Sequence, residues 1–492
     1  MIRRLALVAL IVAILLGLWR LDARHTASEG ASSPGTGAVL ASADARGSTW
    51  YCAAGADGGN AHTVVVSNLT DRRLAAVVTG YGIAPAKPTT KRVEIAARGA
   101  SELPVADLGA DLGGVSVELD GAGIVEHRLA SDAAFDQVPC SSSASSVWHF
   151  AGATTDKGSS AVLWVLNPFR TAASFDVRVT QSDGATRVPS ALRGVVVPGQ
   201  SAFKVDLGEQ ASQRRDLFSF SVRVRSGKVI AELAQSTPAE PPLGRGMRLQ
   251  VGVERSAPRW LFADSFGGPA VSDRVVVYNP GAAAAAVEVA VFGDGLDDAS
   301  QPDPFPLDVA PRRFAVVDLP AESRVPAEGR RWIDVRAVSG TVVATQVVGI
   351  LGAGGDGTPA DRPSVAAGST SSAGSSAAAL RWFVSDVIPS PASASVVSIL
   401  NPDDEDIALV DLFTIVDGKR SASKSQLEVQ PGTSLAVDVG SISSVDFALE
   451  LRSSSPVVID RRLTSERRAD LTISPAVPLG STVSEFADPN TR

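Results

Sequence analysis

The sequence predicts an all-β protein: four tandem antiparallel β-sandwich domains, immunoglobulin-like or jelly-roll-like, after an N-terminal transmembrane or signal segment. Three observations carry this. One unit recurs four times, apolar residues inside it alternate with period two, and Gly, Ser, Pro or Asn punctuates the runs at short intervals. Seven or eight short strands per roughly 100 residues suit a two-sheet sandwich. A four-bladed propeller is the rival architecture, but a blade holds only four strands.

Residues 1–24 open the chain as "MIRRLALVALIVAILLGLWRLDAR". Arg3 and Arg4 precede a charge-free, mostly apolar run over residues 5–19, the order of an export signal. The run is shorter than the roughly 20 residues of a full span. No Ala-x-Ala site follows closely, which favours an uncleaved signal anchor, with the C-terminal domains outside the cell membrane, over a cleaved and secreted form. Residues 25–47 read as a polar stalk.

The four units start near residues 48, 145, 256 and 379. Each opens on a tryptophan: Trp50, Trp148, Trp260 and Trp382. Eighteen or nineteen residues later each reaches an apolar run ending in Asn68, Asn167, Asn279 or Asn401. A further 37 to 39 residues on stand Asp107, Asp206, Asp318 and Asp438, each in an Asp-Leu or Asp-Val pair. Proline follows the last three asparagines. It lacks an N–H and holds the preceding residue extended, so the strand runs up to Asn and pairing stops there. The Asn side chain then bonds the turn. Leu69 replaces proline in the first unit and breaks this rule.

Within a unit, "FSFSVRVRS" places Phe218, Phe220, Val222 and Val224 on one face and Ser or Arg on the other, a half-buried strand. The Ala-rich "GAAAAAVEVAVFGDG" reads as loop then strand, since Val287, Val289 and Val291 alternate. The divisions are 48–144, 145–255, 256–365 and 379–492 for the sandwiches. Residues 366–378 lie in a Ser/Gly/Ala stretch that reads as a flexible linker, which would let the last sandwich move.

Cys52 and Cys140, 88 residues apart, are expected to form a disulfide in an oxidising compartment. The closed loop is worth roughly 4 to 5 kcal/mol in the chain-entropy model. With its anchor, tryptophan-opened units, Asn-Pro strand ends and "PG-S…VDL" turns, the chain resembles an actinobacterial family of secreted or membrane-anchored proteins of unknown function. The units are also similar to repeats of bacterial surface proteins. The resemblance implies location and class, and no catalytic residue.

Motifs that suggest chemistry fail on context. "GAGGDG", Gly352 to Gly357, spells a dinucleotide fingerprint, but no helix pattern follows to meet a pyrophosphate. Ser201-x-x-Lys204 and Ser421-x-x-Lys424 match a penicillin-binding pattern without its partner motifs or a helix. The histidines, His25, His62, His127 and His149, are scattered singly and match no zinc spacing. Asp294, Asp297 and Asp298, and Asp403 to Asp406, offer oxygens that calcium uses, though a solvated turn explains them as well. The repeated aspartates read as strand-end turn caps, the tryptophans as core anchors, and the Asn68 sequon as an ordinary strand end. Catalytic, cofactor and metal residues are therefore expected to be absent. A net charge of −8 and a pI near 5.2 argue against nucleic acid as a partner. The expected partners are the membrane and other envelope proteins, with glycan as the alternative ligand. That makes the chain a non-enzymatic, membrane-tethered scaffold or interaction module, or alternatively a glycan-binding module.

Overall fold

A computed structural model of the chain describes residues 38–39 and 45–486, apart from 57–58, 85, 110–111, 212–214, 239–243, 295, 297–299, 352–366, 388–392, 417, 444 and 466–469. The apolar segment 5–19, most of the stalk, His25, Asp297, Asp298 and Gly352 to Gly357 lie outside these residues. Among the described residues no helix is long and apolar enough to cross a membrane.

The described chain is nearly all antiparallel β. In the first repeat, one sheet runs in the order Ser48–Cys52, Leu112–Leu119, Leu74–Gly82, Thr89–Ile95. The other runs Ala100–Pro104, Ala61–Asn68, Gly123–Ala130, Phe135–Pro139. The second and third repeats follow the same connectivity. In the fourth, the long strand Phe447–Ser465 serves both sheets. The apolar faces enclose the tryptophans, and Trp50, Trp148, Trp260 and Trp382 are all fully buried. Three of them donate their indole N–H to a backbone oxygen across the core: Trp148 to Val229, Trp260 to Val342 and Trp382 to Val457. Strand Ala285–Gly293 forms where alternation predicts it.

The expected linker is not one. Gly368–Ala373 is a strand with every residue buried, and it pairs with Val343–Ile350 as the last strand of the third repeat's sheet. Strand Ala377–Val387 follows almost at once. The third division, ending at 365, therefore omits a strand. Small residues are required here by crowding. The last strands of the four inner sheets, Phe135–Pro139, Gly246–Val251, Gly368–Ala373 and Asp470–Pro475, pack against one another in a closed cycle. A Cβ on Gly246 would lie 2.2 Å from Ser369 Oγ. The fourth repeat is consequently held on both sides, by the third and by the first, and the expected independent motion has no basis in this packing.

Cys52 and Cys140 are joined, tying the first strand of the first repeat to the residue after its last. Both are fully buried. A disulfide fits an extracytoplasmic protein.

Candidate functional site

Many of the polar residues that the repeats bury lie at their seams. Opposite the third residue before each conserved-spacing Asn, a strand carries Glu126, Glu232, Thr345 or Asp460; their partners are Val65, Trp164, Val276 and Ser398. The side chain at this position reaches the preceding repeat every time, the first repeat reaching back to the fourth. Glu126 accepts from Ser385 N (3.4 Å) and Arg461 Nη1 (2.8 Å). Glu232 accepts from Ala54 N (2.6 Å). Thr345 Oγ1 accepts from Gln250 Nε2 (3.2 Å), and Asp460 from Ala263 N (2.6 Å) and Asp264 N (3.3 Å). One position, used four times, closes the ring.

Burial raises the cost of ionising these carboxyls. It pushes Glu232 and Asp460 up to about 7, against the pull of their backbone donors. Asp136, on an inner strand, is likewise pushed up to about 7 although Thr472, Leu249 N and Gln137 N all donate to it. Burial would raise Glu126 as well, but Arg461 and the donors Gln137 and Ser385 hold it below the usual carboxylate range. Asp264 pairs with Arg462 (3.1 Å) and accepts from Ser398, with both ionic partners buried. Arg248 is fully buried on the axis and gives Nη2 to Gln235 Oε1 (3.2 Å).

Two of the histidines expected to stand singly are brought together. His62 and His127 lie 65 positions apart, yet their strands are neighbours, and His127 Nδ1 sits 3.2 Å from His62 Nε2. His127 Nε2 is 3.3 Å from Glu232 Oε2 across the seam. Burial holds His62 well below its ordinary value and His127 at about 3, so both rings are neutral. The three groups stand in line rather than around a common point. Among the described residues no group of three or more His, Cys, Asp or Glu is arranged to hold a metal ion. His149 donates to or accepts from Ser221 Oγ (2.7 Å), which also meets Tyr278 of the third repeat (3.1 Å).

Beside the first seam is a cavity of about 480 Å³. The first repeat contributes Asn60, Leu129 and Ser131, and the second Trp164, Asp206, Gln235 and Arg245, among others. Trp164 Nε1 and Gln235 Nε2, on side chains at most 2% exposed, have no hydrogen-bond partner among the described residues. The arrangement offers donors to an acceptor-rich molecule. Among the described residues that line it, no nucleophile is paired with a base.

A family model described as "Family of unknown function (DUF5719)" matches residues 134–247 and 256–490. The chain belongs to this family. DUF5719 thus spans the second to fourth repeats, with Trp148, Trp260 and Trp382, and the seam residues Glu232, Thr345 and Asp460. Its match starts at Ala134, immediately before the first repeat's inner strand, and leaves out Trp50, Asn68 and Glu126. No curated protein sequence matches the chain. Among solved structures, one of Thermotoga maritima 1070 is 13% identical and covers 23% of this chain and 95% of its own, with a TM-score of 0.20. An α-L-rhamnosidase of Streptomyces avermitilis complexed with L-rhamnose is 11% identical over 71% of this chain and 44% of its own (TM-score 0.14). An Escherichia coli α2-macroglobulin is 10% identical over 89% and 44% (TM-score 0.10).

The residues singled out by repetition are structural in their contacts. All four asparagines are buried and bond their turns. Asn68, whose sequon would accept glycan, gives its amide to Arg72 O and Ala96 O. The aspartates diverge. Asp206 caps a one-turn helix through Gly208 N (2.7 Å), whereas Asp107 pairs with Lys91 and Asp318 with Arg274. Ser201 donates to Pro198 O, and Ser421 and Lys424 lie within strand Lys419–Val429. Asp294 pairs with Arg330, and Asp403 Oδ1 caps Glu405 N and Asp406 N.

Proposed function

We propose that the chain is a non-enzymatic scaffold of the cell envelope, four tandem sandwiches closed into a ring, tethered through residues 5–19 and facing outside. The observation that carries this reading is the use of the buried ionisable groups: Glu126, Glu232, Asp460, Asp136 and Asp264 each bond a neighbouring repeat. Chemistry-bearing side chains here hold an architecture together, and a closed ring offers a rigid outer surface for partners. The disulfide and the charged-then-apolar start support an extracytoplasmic place. Proximity labelling by the full chain in its native cell tests the idea. Reproducible enrichment of a set of envelope proteins over a membrane-anchored control is expected, and labelling equal to the control would reject it.

The cavity beside Trp164 and Gln235 favours a second reading, a glycan-binding module, because its unpartnered donors suit sugar oxygens. Saturable binding on a glycan array, lost in Gln235→Ala, would move the assignment there.

A further inference from the structure

The chain is acidic overall, yet every charged residue lining one groove is an arginine. Arg178, Thr186, Arg187 and Val188 of the second repeat face Pro311, Arg312 and Arg313 of the third across about 410 Å³. The walls are fixed to each other. Thr180 and Thr186 hydroxyls donate to Arg312 O (3.3 and 3.1 Å), and Arg313 Nη1 donates to Thr186 Oγ1 (3.3 Å). Arg187 is anchored on Ala211 O (2.6 Å).

None of the four guanidiniums forms an ion pair among the described residues. The nearby acids are engaged elsewhere: Asp176 holds Arg225 (2.8 Å) and Asp183 holds Arg215 (3.3 Å). Partial burial, with Arg312 and Arg223 close by, lowers the affinity of Arg178 for its proton. Four like charges repel one another, Asp176 offsets Arg178 only in part because it is paired to Arg225, and a bound anion relieves the repulsion. Guanidinium forks match the oxygens of phosphate two at a time. The lining holds no aromatic ring, so nothing in it stacks a base or a sugar face.

We propose that this groove binds a multiply charged phosphate group, gripped by Arg178, Arg187, Arg312 and Arg313. One guanidinium pair neutralises about one phosphate, so a ligand with two or more adjacent phosphate charges fills the site. Two sources carry that chemistry, a soluble phosphate ester and an anionic lipid headgroup.

Titration calorimetry of the full chain with tripolyphosphate at low and at physiological salt tests the proposal. Arg312 has a left-handed backbone (φ 55°), where glycine is at ease, so Arg312→Gly removes a charge without threatening the fold. Arg187→Gln is the second variant. Binding that weakens as salt rises is expected, reduced about tenfold by Arg312→Gly and on the order of a hundredfold by the pair. No heat and no thermal shift with tripolyphosphate, or equal binding by both variants, overturns the proposal. Flotation with phosphatidylglycerol vesicles, read against phosphatidylcholine vesicles that bind the anchor equally, separates the sources. An excess on the anionic vesicles that the double variant loses identifies a headgroup, and tripolyphosphate binding without such an excess identifies a soluble ester.

Discussion

A buried asparagine carries two donor hydrogens and an acceptor oxygen, and leaving any of them unpaired costs about 1 to 3 kcal/mol. At Asn279 all are used: Nδ2 donates to Ala283 O (2.8 Å) and Val309 O (2.9 Å), and Oδ1 accepts from Gly281 N (2.9 Å). Val309 ends a strand of the other sheet, so this one amide joins a turn to the opposite layer. Asn279→Ala is expected to cost about 2 to 4 kcal/mol, read as a lower urea midpoint; an unchanged midpoint would mean that the turn closes unaided. The first repeat shows why its proline is missing. Leu69 N donates to Ala122 O (3.1 Å), a bond that proline cannot make. Leu69→Pro should therefore destabilise by about 1 kcal/mol in the same assay, although proline stands at the corresponding place in the other three repeats.

At the scale of elements, what the sequence made legible was whatever an isolated sandwich needs. The Trp and Asn spacings mark a core anchor and a strand end, and both lie where the repeat demands. Period two distinguishes the two faces of a strand, but it does not say that the polar face meets another repeat. Ser219 and Ser221 look solvent-facing in "FSFSVRVRS", and both are buried. Glu126 and Glu232 look like ordinary outward residues for the same reason, and His62 and His127 meet only because their strands pair. The four recurrences of Glu, Glu, Thr and Asp at one register were the available signal for the seam. The supposed linker failed differently. Ser, Gly and Ala are small, and compositional reasoning equates smallness with flexibility, whereas here smallness permits strands to converge. Gly246→Ala tests this directly. Its Cβ would meet Ser369 N at 2.5 Å as well as Oγ at 2.2 Å, so trimming Ser369 to alanine cannot rescue it. A loss of about 2 to 3 kcal/mol is expected by calorimetry, and a neutral result would show that the axis has slack.

For the molecule as a whole, the seams make stability depend on pH in a direction that can be worked out. Asp136, Glu232 and Asp460 titrate near 7 when folded, against ordinary values of 3.8, 4.5 and 3.8. The folded state then holds protons that the unfolded chain releases, so this contribution is complete at low pH and is lost as pH rises through about 7. Neutral buried His62, His127 and His149 act oppositely: unfolding lets them take up protons below their ordinary value of 6.5. The two sets largely cancel between roughly pH 4.5 and 6.5. Above 6.5 the histidines fall silent and only the carboxyls remain. Stability should therefore decline from pH 6.5 to 8.5, by on the order of 1 kcal/mol for each seam carboxyl. Glu232→Gln keeps an oxygen for Ala54 N and cannot ionise. Relative to wild type it should gain about 1 kcal/mol over that interval, followed as urea midpoints at fixed salt. A wild-type midpoint that stays level from pH 6.5 to 8.5, or a variant that tracks it in parallel, would show that Glu232 ionises at the seam without penalty. In that event the ring is held by its packed strands, and the repeated acid is a guide to register rather than a source of strength.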